Sequence, residues 1–131
     1  MIYQYQQATD AFTTHRLVVP DGSTELATIN GLTYVHVPDG AALPDGQPPE
    51  IAISIQPVTL TAELRHAIEE ASPHVALIRA RVAQKIAEAY SIGDEIKMLR
   101  TAPSAEFELY NAYVEDCRAW GRAQKAALGL R

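Results

Sequence analysis

The stretch ELATINGLTYVHV, residues 25–37, constrains the fold of this 131-residue chain more than any other. At its centre is Asn30-Gly31, a pair that tolerates positive φ at both inner positions of a type I′ turn. It closes a two-residue hairpin whose twist matches that of the flanking strands. Those flanks are rich in β-branched and aromatic residues, which suit a pleated, half-buried surface. A two-residue loop also fixes register: Ile29 should face Leu32, Ala27 should face Tyr34, and Leu26 should face Val35. Pro-Asp-Gly triplets follow the same turn logic at Pro20–Gly22, Pro38–Gly40 and Pro44–Gly46. Proline presets φ at the first central position, and aspartate and glycine suit the positions after it. Each triplet offers one carboxylate. A calcium loop needs acids at alternate positions and a bidentate glutamate, so these are turns.

Two more strands are expected around the hairpin. Leu17–Val19 precedes it across the first Pro-Asp-Gly turn, and Ile51–Ile55 alternates as IAISI before Pro57 ends it. The intervening AALPDGQPPE is too rich in proline to join a central ladder. A three- or four-stranded antiparallel sheet results.

From residue 61 the punctuation becomes helical. Thr61 caps a helix carrying Leu64 and Ile68, and Ser72-Pro73 supplies a second cap with proline at the first helical position. Val75, Ile78, Val82, Ile86 and Tyr90 then recur at three- and four-residue steps. Ser91 and Asp94 form a capping box that bends or restarts the helix, and Ile92, Ile96 and Leu99 continue an apolar stripe. Ser104 caps the last helix, which runs to about Leu128 and stops at Gly129. The short connection before it predicts antiparallel packing on the preceding helix. The fold class is therefore α+β: a small N-terminal antiparallel sheet of hairpins, followed by a C-terminal helical hairpin of two long helices. Residues 1–131 read as a single domain, with a β-rich subregion over 16–56 and a helical one over 61–129.

Charge separates the halves. Residues 1–60 carry Arg16 against six acids, whereas ten basic and ten acidic side chains follow residue 60. An acidic half and a neutral half give no footprint for phosphate backbones, so no nucleic-acid partner is expected. No apolar run approaches the roughly 18 residues a membrane span needs, so no membrane partner is expected either. The start, MIYQYQQATDAF, lacks the basic and apolar regions of a signal peptide. One cysteine forms no internal disulfide, in keeping with a cytoplasmic protein.

The segment YNAYVEDCRAW, residues 110–120, is the densest cluster of reactive side chains. On a helix, Phe107, Tyr110, Val114 and Cys117 make one stripe, and Tyr113, Cys117 and Trp120 make an overlapping one. Cys117 reads as a small core residue, with no histidine nearby in sequence to activate it. Glu115 and Asp116 are sequence neighbours and do not face each other, whereas Glu115 and Arg118 suit a surface pair, as do Asp94 and Lys97. His66 and His74 lie on either side of the Ser72-Pro73 break, and no metal-ligand spacing or glycine-rich phosphate loop occurs. The expectation is a protein without enzymatic activity, cofactor or metal. Tyr110, Tyr113 and Trp120 favour interfaces as well as core edges, so this stripe suits the chain's own sheet, a partner or a second copy.

The segments GLTYVHVPDGAALPDGQPPEI and DEIKMLRTAPSAEFELYNAYVEDCRAWGRAQKAALG resemble small proteins from tail-gene clusters of tailed bacteriophages and prophages. In those proteins a short β region with a TYV-VPDG phrase precedes a helical tail ending in a Lys-Ala-x-Leu-Gly-like phrase. The better-known fibre assembly chaperones carry Trp-x-x-Tyr-Arg in the last helix, where this chain has Trp120-Gly121-Arg122. The resemblance implies a tail fibre assembly protein or chaperone that binds a β-rich tail or fibre subunit in the host cytoplasm. Ile51, Ile53 and Ile55 would then form the edge that adds to a client sheet. A minor tail component retained in the virion is the alternative, as is a small inhibitor whose acidic half suits a basic host protein.

Overall fold

In the computed structural model, which describes residues 1–130, Asn30 and Gly31 both take positive φ, 51° and 83°, as a type I′ turn requires. The turn joins strands β4 (Thr24–Ile29) and β5 (Leu32–His36). Ile29 faces Leu32 and Ala27 faces Tyr34, as the loop length dictates. Val35, however, faces Glu25 and not Leu26, because Leu26 is the extra residue of a β-bulge. The bulge explains why Leu26 and Ala27 are both buried, which strict alternation forbids.

β5 is not an edge. The strand β1 (Ile2–Gln6) lies antiparallel on its other side, and β6 (Gln56–Val58) closes the order β4-β5-β1-β6. This is the antiparallel sheet of four strands expected from the turns, but two of its members differ from those expected. A second, two-stranded ribbon pairs β2 (Ala8–Thr9) with β3 (Thr14–His15). Tyr5, Val35 and Val37 on one sheet face pack with Leu17 and Ile51 into a buried cluster, supported by Tyr3, Leu43 and Ile55.

Leu17–Val19 is not a strand. Its backbone is paired instead by a side chain: Gln47 Oε1 accepts from the Val18 N–H at 2.9 Å, and Gln47 Nε2 donates to the Val18 carbonyl at 2.8 Å. Ile51–Ile55 is not a strand either. Pro49, at a position that needs no N–H, starts the one-turn helix α1 (Pro49–Ala52). Helical geometry separates the isoleucines. Ile51 is 0% exposed in the core, Ile53 is 95% exposed, and Ile55 packs at the core margin. The strand comes just afterwards and contains Pro57, which an edge position tolerates.

The helices follow their caps. Helix α2 (Ala62–Ala71) starts where the Thr61 side chain accepts from the Leu64 N–H, and α3 (Pro73–Ala89) begins after Ser72. Helix α4 (Ile92–Arg100) carries the complete Ser91–Asp94 capping box, and α5 (Ala105–Ala127) opens with Ser104 accepting from the Phe107 N–H at 3.1 Å. Gly129, at φ 79°, takes the left-handed conformation that follows the helix.

The architecture is α+β, divided into two compact units. One comprises residues 1–74 with 128–130; the other is residues 75–127. The division falls inside α3 and not at the change from strands to helices, because α2 packs on β4 and belongs with the sheet. The helical unit is α3, α4 and α5, so the expected two long helices are interrupted at Ser91.

The α1 geometry is tested by a pair of substitutions. Ile51→Ala should lower unfolding free energy by about 2–4 kcal/mol, through lost burial and a residual cavity. Ile53→Ala should change it by less than about 0.5 kcal/mol, since its side chain touches little. Urea unfolding monitored by circular dichroism separates this outcome from a strand, in which both residues would share a face.

Candidate functional site

Within the helical unit, α5 runs antiparallel to α3: Tyr113 on α5 reaches Lys85, while Gly121 further along reaches back to Val82 and Ile78. A Cβ on Gly121 would sit 2.8 Å from Val82 Cγ2, so glycine allows a close approach at this point. Further along, the aromatic residues of YNAYVEDCRAW form an internal seam. The Tyr90 and Tyr110 rings meet edge to face at 5.0 Å between centroids, and Tyr113 lies 5.8 Å from Tyr90. Tyr110 donates its hydroxyl proton to Glu95 Oε1 at 3.0 Å, and Tyr113 donates to the Lys85 carbonyl at 2.7 Å. Lys85 Nζ sits 4.0 Å above the Trp120 ring, a cation–π contact.

Tyr90 joins Tyr110 to Tyr113, Lys85 joins Tyr113 to Trp120, and the two tyrosine hydroxyls find partners on α4 and α3. Desolvation raises the Tyr113 hydroxyl above its ordinary range, with a further contribution from the adjacent Cys117 thiol. The same cause, followed by the bond to Glu95, raises Tyr110. Both remain protonated donors at neutral pH. Cys117 is a buried free thiol, Glu115 pairs with Arg118 at 3.1 Å, and the Asp94 carboxylate accepts from the Ser91 N–H within the helix cap. This stripe is chiefly helix packing.

The apolar stripe of α4 has a different fate. Glu95 and Met98 are half-buried, whereas Ile92, Ile96 and Leu99 are 77%, 49% and 63% exposed. These three occupy one side of the helix at steps of four and three residues, held in register by the capping box. The sequence pattern identified this stripe but not the direction in which it points. An ordered amphipathic helix with its apolar side in water is the most distinctive surface of the helical unit.

In the sheet unit, Phe12 is also exposed, at the tip of the β2–β3 ribbon. The tip is tightly built: Asp10 Oδ1 accepts from the N–H groups of Phe12 at 2.9 Å and Thr13 at 2.8 Å. His15 bridges Asp10 at 3.3 Å through Nε2 and Glu50 at 3.6 Å through Nδ1. The two carboxylates thus lie on different sides of the imidazole and do not converge on one point. Among the described residues no group of three or more His, Cys, Asp and Glu side chains is arranged to hold a metal ion. No helix among them is long and apolar enough to cross a membrane.

Comparison with protein-family models, curated proteins and solved structures finds no significant match to this chain.

Two predictions arise from these contacts. Tyr113→Phe removes the donor to Lys85 without changing ring packing and should cost about 0.5–1.5 kcal/mol in thermal or denaturant unfolding. The second concerns pH. Backbone donation from Phe12 and Thr13 holds Asp10 below the ordinary aspartate range, and the Ser91 backbone and hydroxyl do the same for Asp94. Their stabilising contribution is complete above the unfolded value, about pH 3.9, and disappears as pH falls through the lower folded values. His36 is held below its ordinary range mainly by burial, then by the nearby N-terminal ammonium. Its contribution is complete above about pH 6.5 and fades as acidification forces a proton onto the half-buried ring. Melting temperature should therefore begin to fall below pH 6.5 and fall more steeply below pH 4. Asp10→Asn with Asp94→Asn should flatten only the lower limb.

Proposed function

We propose that this chain is a non-enzymatic tail fibre assembly protein that holds a β-rich tail or fibre subunit through the outward side of α4. The observation that carries this reading is the solvent exposure of Ile92, Ile96 and Leu99 on a capped, ordered helix. Apolar helix faces of this kind dock into grooves of partner proteins, with anchors three and four residues apart. The sequence resemblance to tail-cluster proteins supplies the class of client.

The mode of capture differs from strand addition through Ile51, Ile53 and Ile55. Ile51 is in the core, and the edge strand β6 is three residues long with Pro57 at its centre. Short, proline-containing edges are poor templates for another strand. The helix surface is the better client site, acting in the host cytoplasm while the fibre folds.

Co-expression with a tail fibre protein from a phage or prophage that encodes this chain should increase the soluble fibre yield severalfold. Ile96→Glu with Leu99→Glu should abolish the gain while shifting the melting temperature by only a few degrees, since both side chains are already exposed. An unchanged fibre yield with the wild-type chain would count against an assembly role. Stoichiometric retention of the chain in purified particles would favour the virion component instead.

A further inference from the structure

The sheet unit has an open strand edge with a groove beside it. β4 ends the order β4-β5-β1-β6, so only one of its sides is paired. Unlike β6, it is six residues long and holds no proline. Register decides which of its backbone groups point outward. Ile29 and Leu32 flank the two-residue turn and exchange hydrogen bonds, so Thr28 and Thr33 do not. The two threonine hydroxyls accordingly approach to 2.9 Å, and the Thr28 N–H and C=O are aimed away from β5. The far side of β5 has the same phase. There the Val37 N–H donates to the Met1 carbonyl at 2.9 Å, so Thr33 and Val35 turn their own backbone groups toward β1. Glu25, opposite Val35, therefore also points outward. Among the described residues, the outward groups of Glu25 and Thr28 meet no other backbone, and both residues are exposed. Beside them runs a groove of about 360 Å³, with residues 25–28 along one wall and Ala71, Pro73 and His74 on the other. The second wall is the corner where α2 ends and α3 begins.

We infer that β4 takes a short extended segment of a protein partner as a fifth strand, lodged between the edge and the α2–α3 corner. Unpaired N–H and C=O groups on a strand select an extended backbone over a helix, whose own backbone groups are already used internally. Two features select a single short segment over the edge of another sheet or of a second copy. The bulge at Leu26 breaks the regular repeat between the two outward positions, and bulges discourage open-ended edge pairing. The corner also closes the groove opposite the edge. Four residues of strand span roughly 13 Å, and a volume of about 360 Å³ along that length holds one added strand. Charge plays little part, since the Glu25 carboxylate is met by Arg16 at 3.6 Å. This inference does not rest on the client surface proposed for α4.

The test is an NMR titration of the full chain with a net-neutral peptide of about nine residues, alternating threonine and valine between a terminal lysine and a terminal glutamate. The control is the same peptide N-methylated at its central amides, which keeps the side chains but cannot donate hydrogen bonds. The unmethylated peptide should shift the Glu25 and Thr28 amide signals saturably and slow their hydrogen exchange by about threefold or more. The methylated peptide should bind at least about tenfold more weakly. Thr28→Pro removes one outward donor at an edge position, where proline is tolerated, and Ala71→Trp fills the groove from the exposed end of α2. Each should weaken binding by about tenfold, with circular dichroism melts identifying the folded variants. Absence of a saturable shift, equal binding of the two peptides, shifts centred on α4, or unchanged affinity in a folded variant would overturn the proposal. So would protection of Glu25 and Thr28 that grows with protein concentration in the absence of peptide, which marks a second copy as the occupant.

Discussion

The sheet unit depends on a single long-range pairing, that of β1 with β5. Five residue pairs, from Ile2–His36 to Gln6–Leu32, place the chain's first strand beside the second arm of the hairpin. The other edge of β1 then receives β6, so the sheet is not complete until residues more than fifty positions apart have met. The hairpin alone is local and quick to form, but a two-stranded ribbon is marginal in water. Only with β1 in place do Tyr5 and Val35 lie on one face, where Leu17 and Ile51 cover them. The geometry of α1, the exposure of Ile53 and the position of the proline-bearing edge all follow from that closure.

The helical unit is held differently, by contacts that change character along α5. Near Gly121 the helices approach closely because no side chain intervenes, and toward the start of α5 three tyrosines fill the space. The one glycine inside α5 lies where a larger residue would collide with Val82. The aromatic hydroxyls also reach polar partners, so the seam is specified by hydrogen bonds as well as by shape. The consequence for function is a division of labour: aromatic side chains that sequence alone would nominate for binding are used internally. Shorter aliphatic residues on α4 are left in water.

Features governed by local chemistry were legible in the sequence. The Asn30-Gly31 turn, the Thr61 and Ser104 caps, the Ser91–Asp94 box and the Gly129 stop each involve atoms within a few residues of one another, and each has the geometry its residues predict. The segment IYQYQ alternates tyrosine and glutamine as a strand does, but nothing local indicates that β1 enters the middle of a sheet. The alternating IAISI misled for a related reason: Pro48-Pro49 starts a helical turn, and a pattern of period two over five residues cannot outweigh that constraint. For the candidate site, periodicity located the α4 stripe and the aromatic stripe equally well. Which of them faces water depends on the partner helix, and that information lies outside either segment.

Gln47 shows how the chain manages a sequence that invites trouble. Leu17-Val18-Val19 is short, β-branched and partly exposed, the composition of a segment that recruits other strands. The Gln47 amide occupies both the donor and the acceptor of Val18 and anchors itself on the Pro44 carbonyl at 3.0 Å. A single side chain thus does the work of a neighbouring strand while offering no further backbone beyond it. The open backbone of this segment is ended by an amide that cannot propagate a strand.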